Sequence, residues 1–195
     1  MTRETINNLK KNINAIYEIF DSVEQVIKKP DEMTISLRDC FKIELLQMIL
    51  YFSASDGKLS AKERDFVNAI LEFNASSNDL IEIIDENDIY STDFENKDCL
   101  SLTLLKPVDD MLISKGNESV LPIIIDFMET IAKAVIIIDD NVADQEKEDL
   151  NIYFTNLRNK YISEQDIIIG KTFKKNTSSN TNSNNLKDYY LKKKK

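Results

Sequence analysis

The stretch Asp56-Gly57-Lys58-Leu59-Ser60-Ala61-Lys62-Glu63 recurs in outline as Asp139-Asp140-Asn141-Val142-Ala143-Asp144-Gln145-Glu146. In both copies an acid opens a short turn, an aliphatic residue stands three places on, and a Glu falls seven places on. Each copy follows a long apolar run with helical spacing and precedes another. The pattern predicts paired helix-turn-helix units whose acidic turns are placed to meet in space.

Composition agrees with a helical reading. The chain of 195 residues is long enough for one domain with a real core and an appendage. Three Gly and three Pro are few for an all-β fold with many tight turns. Abundant Leu, Ile, Lys and Glu favour helices instead. The absence of His excludes imidazole-based catalysis and His metal sites, and with them Ser-His and Cys-His triads and HExxH proteases. Cys40 and Cys99 each fall among apolar residues in a helical pattern, which reads as buried free thiols in a reducing compartment.

The net charge of -9 is unevenly distributed. Residues 171–195 hold eight Lys and one Asp, so the tail carries +7 and residues 1–170 carry -16. Such a body repels nucleic acid and attracts cations or basic partners, and no specific nucleic-acid contact is expected. The opening Met1-Thr2-Arg3-Glu4-Thr5 lacks the apolar run of a signal peptide. The most apolar stretch, Val120 to Ile138, contains Asp126, Glu129 and Lys133, too many charges for a transmembrane segment. A cytoplasmic protein is expected.

Helical periodicity sets the expected elements. Ile6, Leu9, Ile13, Ile16, Tyr17, Phe20, Val23 and Ile27 form one face of a long amphipathic helix over 5–29, ended by Pro30. This N-terminal segment, 1–34, is expected to pack on the core formed by 35–170. Within the core, helices are expected over Ser36–Ser55, Ser60–Phe73 and Ser77–Glu86, the last with Ser77 as N-cap. Residues 85–98 read as an acidic loop. A helix from Lys97 is expected to break or kink at Pro107 and resume to Ile113, before a Gly116-Asn117 turn. Ser119–Ile138 and Gln145–Lys160 follow, and Ser163–Ile169 adds a short last helix stopped by Gly170. The Asn/Ser/Thr/Lys-rich tail 171–195 is expected to be disordered. The fold class is therefore all-α, a compact bundle of about seven helices with two pseudo-symmetric helix-turn-helix repeats.

The first acidic turn has a complete structural explanation. Gly57 can adopt the left-handed conformation that ends a helix, Ser60 is expected to cap the next, and Glu63, three residues on, to close a capping box. Leu59 staples against Arg64 or its neighbours. In the second turn Ala143 stands in place of Ser60, leaving Asp144 to cap one residue later. Asp139 and Glu146 keep the spacing of Asp56 and Glu63 although the capping chemistry has changed.

In these residues the chain resembles the tellurite-resistance TerB-like family, also met as a domain of a membrane-anchored DnaJ-type co-chaperone. The resemblance lies in Ala54-Ser55-Asp56-Gly57-Lys58-Leu59-Ser60-Ala61-Lys62-Glu63 after the helix Ile43 to Phe52. It recurs in Ala134-Val135-Ile136-Ile137-Ile138-Asp139 with Glu146 following, and covers roughly 35–160. It implies an all-helical fold with two hairpins in approximate two-fold relation. It also implies that Asp56, Glu63, Asp139 and Glu146 form a shared metal or partner site. Oxygen-only ligands of this kind suit Ca²⁺, Mg²⁺ or Mn²⁺.

Other motifs lead nowhere. Asp85, Asn87, Asp88, Asp93 and Glu95 imitate a calcium loop, but Ile89 occupies its fifth position and no Gly its sixth. Gly170-Lys171-Thr172 lacks the upstream Gly of a phosphate loop. The expectation is a non-enzymatic interaction module in a stress response, to toxic oxyanions or at the envelope. Its acidic patch would bind a divalent cation or a basic protein partner, including one in a membrane-associated complex. Two rivals stand beside it: a metal-dependent hydrolase using the same carboxylates, and a co-chaperone-like adaptor with an apolar groove, for example along the first helix.

Overall fold

The N-terminal apolar stripe winds into α1, Arg3–Glu24, which turns Leu9, Ile13, Ile16, Phe20 and Val23 inward. The computed structural model describes residues 1–27, 33–53, 58–89, 94–139 and 144–162. Within them, α2 (Leu37–Ser53), α3 (Ala61–Leu71) and α4 (Ser77–Glu86) precede a 3-10 turn, Phe94–Asn96. α5 (Leu100–Ser114) and α6 (Leu121–Ile136) follow, then a second 3-10 turn, Ile137–Asp139, and α7 (Asp144–Tyr161). The described residues contain seven α-helices and no strand. None of these helices is long and apolar enough to cross a membrane.

Two helices form the buried centre. α2 is apolar on nearly every side from Leu45 to Phe52, and α6 buries Leu121, Ile124, Ile125, Phe127, Met128, Ile131, Ala132, Val135 and Ile136. They pack against each other, and α2 also meets α1, α3, α4 and α5. α7 lies on α6, pinned by Arg158, which bridges Asp126 (2.8 Å) and Glu129. An aromatic cluster fills the gap between α2, α7 and the first 3-10 turn: Tyr51 stacks on Phe94 with centroids 4.6 Å apart, and Phe52 meets Tyr153 edge-on. The 3-10 turn Ile137–Asp139 packs against α3, so the bend after α6 lies beside the helix that follows the first acidic turn.

The starts of α2 to α6 each place a carboxylate on a backbone amide, whereas α1 is capped by the Thr2 hydroxyl. The first amides of a helix have no partner within it and carry partial positive charge, so an acid there both satisfies and stabilises. Ser60 with Glu63 and Ser76 with Asp79 do this locally as capping boxes. Three other helices borrow the acid from a neighbour. Leu37 N of α2 donates to Glu24 Oε2 of α1 at 2.9 Å, and Ser101 N of α5 donates to Glu44 of α2 at 3.2 Å. Val120 N, at the start of α6, donates to Asp109 Oδ1 of α5 at 2.7 Å, and Ser119 Oγ donates to Asp109 Oδ2 at 2.6 Å. Neither Cys99 nor Val120, the N-caps of α5 and α6, supplies a side-chain cap of its own.

Several expectations need correction. α1 ends at Glu24, well before Pro30, and Glu24 Oε2 accepts from Leu37 N at the start of α2. The N-cap of α4 is Ser76, since its hydroxyl accepts from Asp79 N while the Asp79 carboxylate accepts from Ser76 N at 2.7 Å. α5 runs unbroken through Pro107, which sits on the exposed face where water can reach the carbonyl that loses its donor. The segment expected as a polar loop anchors itself with two core residues, Ile89 and Phe94. The apolar stripe of α1 packs on the core through Leu9, Ile13, Ile16, Phe20 and Val23. α5 closes as foreseen: Gly116 has φ +79°, and Asn117 N donates to Leu112 O at 3.0 Å. The expected helix Ser163–Ile169 and the tail 171–195 lie outside the described residues.

Asp109 is fully buried and its oxygens hold two donors at the α6 start. Asp109→Ala is expected to lower the unfolding free energy by about 1–3 kcal/mol in urea titrations. Asp109→Asn, which keeps one carbonyl acceptor, should recover part of that loss. A loss for Asp109→Ala within about 0.5 kcal/mol, the range of an ordinary surface change, would contradict the capping role.

Candidate functional site

The structure places the four predicted acids unequally. Glu63 is 3% exposed, and its Oε2 accepts from Ser60 N at 2.8 Å while Ser60 Oγ accepts from Glu63 N at 3.3 Å. The capping box read from the sequence is therefore formed, and Leu59 beside it packs partly on the core. Glu146 is half-buried in the first turn of α7. Asp139 closes the second 3-10 turn, with its side chain outside the described set, and Asp56 lies outside the described residues altogether. Among the described residues no three Asp, Glu or Cys side chains gather as metal ligands.

A different site emerges where α2, the first 3-10 turn, the start of α5 and α7 come together. They enclose a cleft of ≈ 240 Å³. Its rim carries Ile35, Ile43 and Leu100, which are 40%, 45% and 42% exposed. Its floor holds Cys40, Cys99, Phe94 and Tyr153, all from the buried core. Isolated exposed aliphatic residues are ordinary on a protein surface, but here three of them line one cleft.

The polar groups of the cleft are engaged with one another. Glu44 accepts from Ser101 N, from Ser101 Oγ and, at 3.8 Å, from Cys40 Sγ. Lys97 Nζ donates to Gln47 Oε1 at 3.1 Å, and Gln47 Nε2 donates to Asn87 Oδ1 at 3.0 Å, tying the cleft to the end of α4. Tyr161 Oη accepts from Cys99 N and donates to Cys99 O, each at 3.2 Å, fastening the last turn of α7 to the cleft wall. Lys160 adds an ion pair to Asp98 of the same wall.

Burial governs the chemistry of these groups. It pushes the Cys40 and Cys99 thiols up to about 12, with the Glu44 charge adding to the effect. Both remain neutral thiols at physiological pH and are poor nucleophiles. Burial also holds the Tyr153 phenol far above its usual range. Burial raises the Glu44 carboxyl above its ordinary 4.5, against the opposing pull of the Ser101 and Leu100 donors. The cleft is thus a place to bind an apolar group, with its ionisable side chains held in neutral or internally satisfied states.

Sequence reasoning passed over this site. Cys40 and Glu44 share one helical face, four residues apart, and that spacing signals a carboxylate directed at the same surface as a buried thiol. Asp109 likewise sits in register with Leu102 and Leu105 on the buried face of α5. Only the backbone and hydroxyl partners of these acids, ten or more residues away in each case, were invisible in the sequence. No family model, no curated protein and no solved structure matches the chain.

Because the Glu44 pKa rises on folding, the stability it contributes is fully present below about pH 4.5 and is lost as pH climbs through the raised value. Wild-type stability should therefore fall relative to Glu44→Gln between pH 4 and pH 8, since Gln accepts the same donors without ionising. Glu44→Ala, which abandons Ser101 N, should lose about 1–3 kcal/mol at any pH. A difference between wild type and Glu44→Gln that stays constant across this range, read from urea midpoints, would contradict the assignment.

Proposed function

We propose that the chain is a non-enzymatic interaction module of the cytoplasm, working in a stress response as the TerB-like resemblance implies. It engages a protein partner by taking an apolar segment of it into the cleft between α2, α5 and α7. The observation that carries this reading is the convergence of exposed Ile35, Ile43 and Leu100 on one rim. The cleft volume also falls below the roughly 300–1,000 Å³ of pockets that enclose a small molecule, and is better suited to a few side chains. Around it, a body of -16 favours basic residues flanking the apolar anchor.

Peptides selected from a random display library against the full chain test this directly. Aliphatic cores with Lys or Arg flanks are the expected winners, with binding lost on Ile43→Asp and kept on Ile81→Asp, an exposed isoleucine of α4. Selected peptides that bind Ile43→Asp as well as wild type would remove the cleft from consideration.

A second reading rests on the packing of the 3-10 turn Ile137–Asp139 against α3. That proximity favours a shared acidic surface of Asp56, Glu63, Asp139 and Glu146 for Ca²⁺, Mg²⁺, Mn²⁺ or a basic partner segment. With Glu63 committed to its helix cap, Asp56, Asp139 and Glu146 would supply most of the ligands. Calorimetric titration with Ca²⁺ and Mn²⁺ should give saturable heat that disappears in the Asp56→Ala, Asp139→Ala double variant with unchanged helicity. Heat that is the same in the variant, or absent in wild type, would overturn this reading.

A further inference from the structure

The apolar cleft adjoins a space of a different character. Between the first 3-10 turn and the last turns of α7 lies a second groove of ≈ 320 Å³, lined by Asn96, Lys97, Asn156, Leu157, Asn159 and Lys160. Lys97 lines both spaces. On a body of -16 this groove stands apart, since among the described residues two lysines and three asparagines line it and no carboxylate does. Lys97 Nζ donates to the neutral Gln47 Oε1 at 3.1 Å, and among the described residues no carboxylate pairs with it. Lys160 is paired with Asp98, and Asn156 Nδ2 donates to Asn96 Oδ1 at 3.3 Å. Asn159, exposed on the last turn of α7, brings a further amide to the groove.

We propose that the segment entering the cleft is the C-terminus of a partner chain: its last, aliphatic side chain fills the cleft, and its α-carboxylate lies on Lys97 and the Asn96 and Asn159 amides of the adjoining groove. The proposal rests on the cleft reading given above and names the chemistry of the occupant. Charge complementarity carries it. Charges more than roughly 8 Å away are screened at physiological ionic strength, so the nearest groups outweigh the net charge of the body. Of the charged groups lining the two spaces, Asp98 and Lys160 balance each other and Glu44 is engaged by Ser101, which leaves the Lys97 ammonium to be matched. The spacing favours a terminal carboxylate over an acidic side chain. Lys97 stands where the spaces join, so the anion lies next to the anchored side chain. In an extended segment the next side chain points to the opposite face, and the one after it lies roughly 6.4–6.8 Å further on. An α-carboxylate is attached to the anchor's own Cα. It also accepts stronger hydrogen bonds from ammonium and amide donors than the neutral carbonyl of an internal residue. Basic residues earlier in the segment remain suited to the acidic body around the cleft.

Fluorescent hexapeptides of random sequence ending in Ile, Leu or Val, made both as free acids and as C-terminal amides, test this on the full chain. The acid pool is expected to bind about five- to tenfold more tightly than the amide pool, with the preference shrinking at high salt as the ion pair is screened. In Lys97→Gln the preference should fall below about twofold, and Lys97→Arg, which keeps the charge, should retain it. Lys115→Gln removes an equal charge at the other end of α5 and should leave the preference at its wild-type size. Equal binding of the two pools, both lost on Ile43→Asp, would overturn the terminal carboxylate and leave the cleft reading standing. A preference that persists undiminished in Lys97→Gln would place the anion elsewhere and overturn the groove. Amidated peptides carrying Asp two residues after the aliphatic anchor, if they bind as tightly as the acid pool, would assign the groove to an internal acidic side chain against the proposal. Absence of Ile43-dependent binding by either pool would sink the cleft reading as well.

Discussion

The bundle depends on carboxylates set at the starts of helices. An α-helix leaves its first amides unpaired, and burying them bare costs more than most single contacts return. Here α3 and α4 solve the problem within a few residues, α5 and α6 take an acid from an earlier helix, and α2 does both, with Ser36 Oγ accepting from Asp39 N and Glu24 from Leu37 N. Each borrowed bond fixes the position of one helix end against the body of another. The order is consistent: α1 caps α2, α2 caps α5, and α5 caps α6. Apolar burial drives the collapse, but its lack of direction leaves relative placement open, and these bonds restrict it.

This arrangement changes how the acidity of the chain is to be understood. From the sequence, a body of -16 looks like an electrostatic surface awaiting a cation or a basic partner. In the structure several acids, including one of the four in the repeated turns, face inward. Glu63 is nearly inaccessible within its capping box, Asp109 is fully buried, and Glu44 is drawn toward neutrality at the cleft. The exposed apolar rim, rather than the count of carboxylates, is the more specific mark on the surface. Glu44 also joins the two themes, since the residue that starts α5 shapes the floor on which Leu100 and Ile43 stand.

The helical scaffold was legible in the sequence because it is written in local patterns. Stripes such as Leu9, Ile13, Ile16 and Phe20, the Ser60–Glu63 box, and the Gly116-Asn117 stop each depend on neighbours within about a turn. What escaped was non-local. Pro107 is a helix breaker by local rules, yet α5 persists because packing against α2, α6 and α7 holds it and its exposed face tolerates the lost bond. Phe94 looks like a scattered residue in a polar loop until Tyr51 and Tyr153 provide the surface it fills, and Ile89 is likewise buried in the core. The cleft was unreadable for the same reason, as its walls come from four separate parts of the chain.

Native-state hydrogen exchange at three backbone amides tests the central claim most directly. If Glu24, Glu44 and Asp109 hold the helix starts, the amides of Leu37, Ser101 and Val120 exchange only through large-scale opening, with protection close to that of mid-helix amides in α2 and α6. Exchange of all three at the rates of frayed helix ends, while those mid-helix amides remain protected, would show that the borrowed carboxylates do not fasten the bundle.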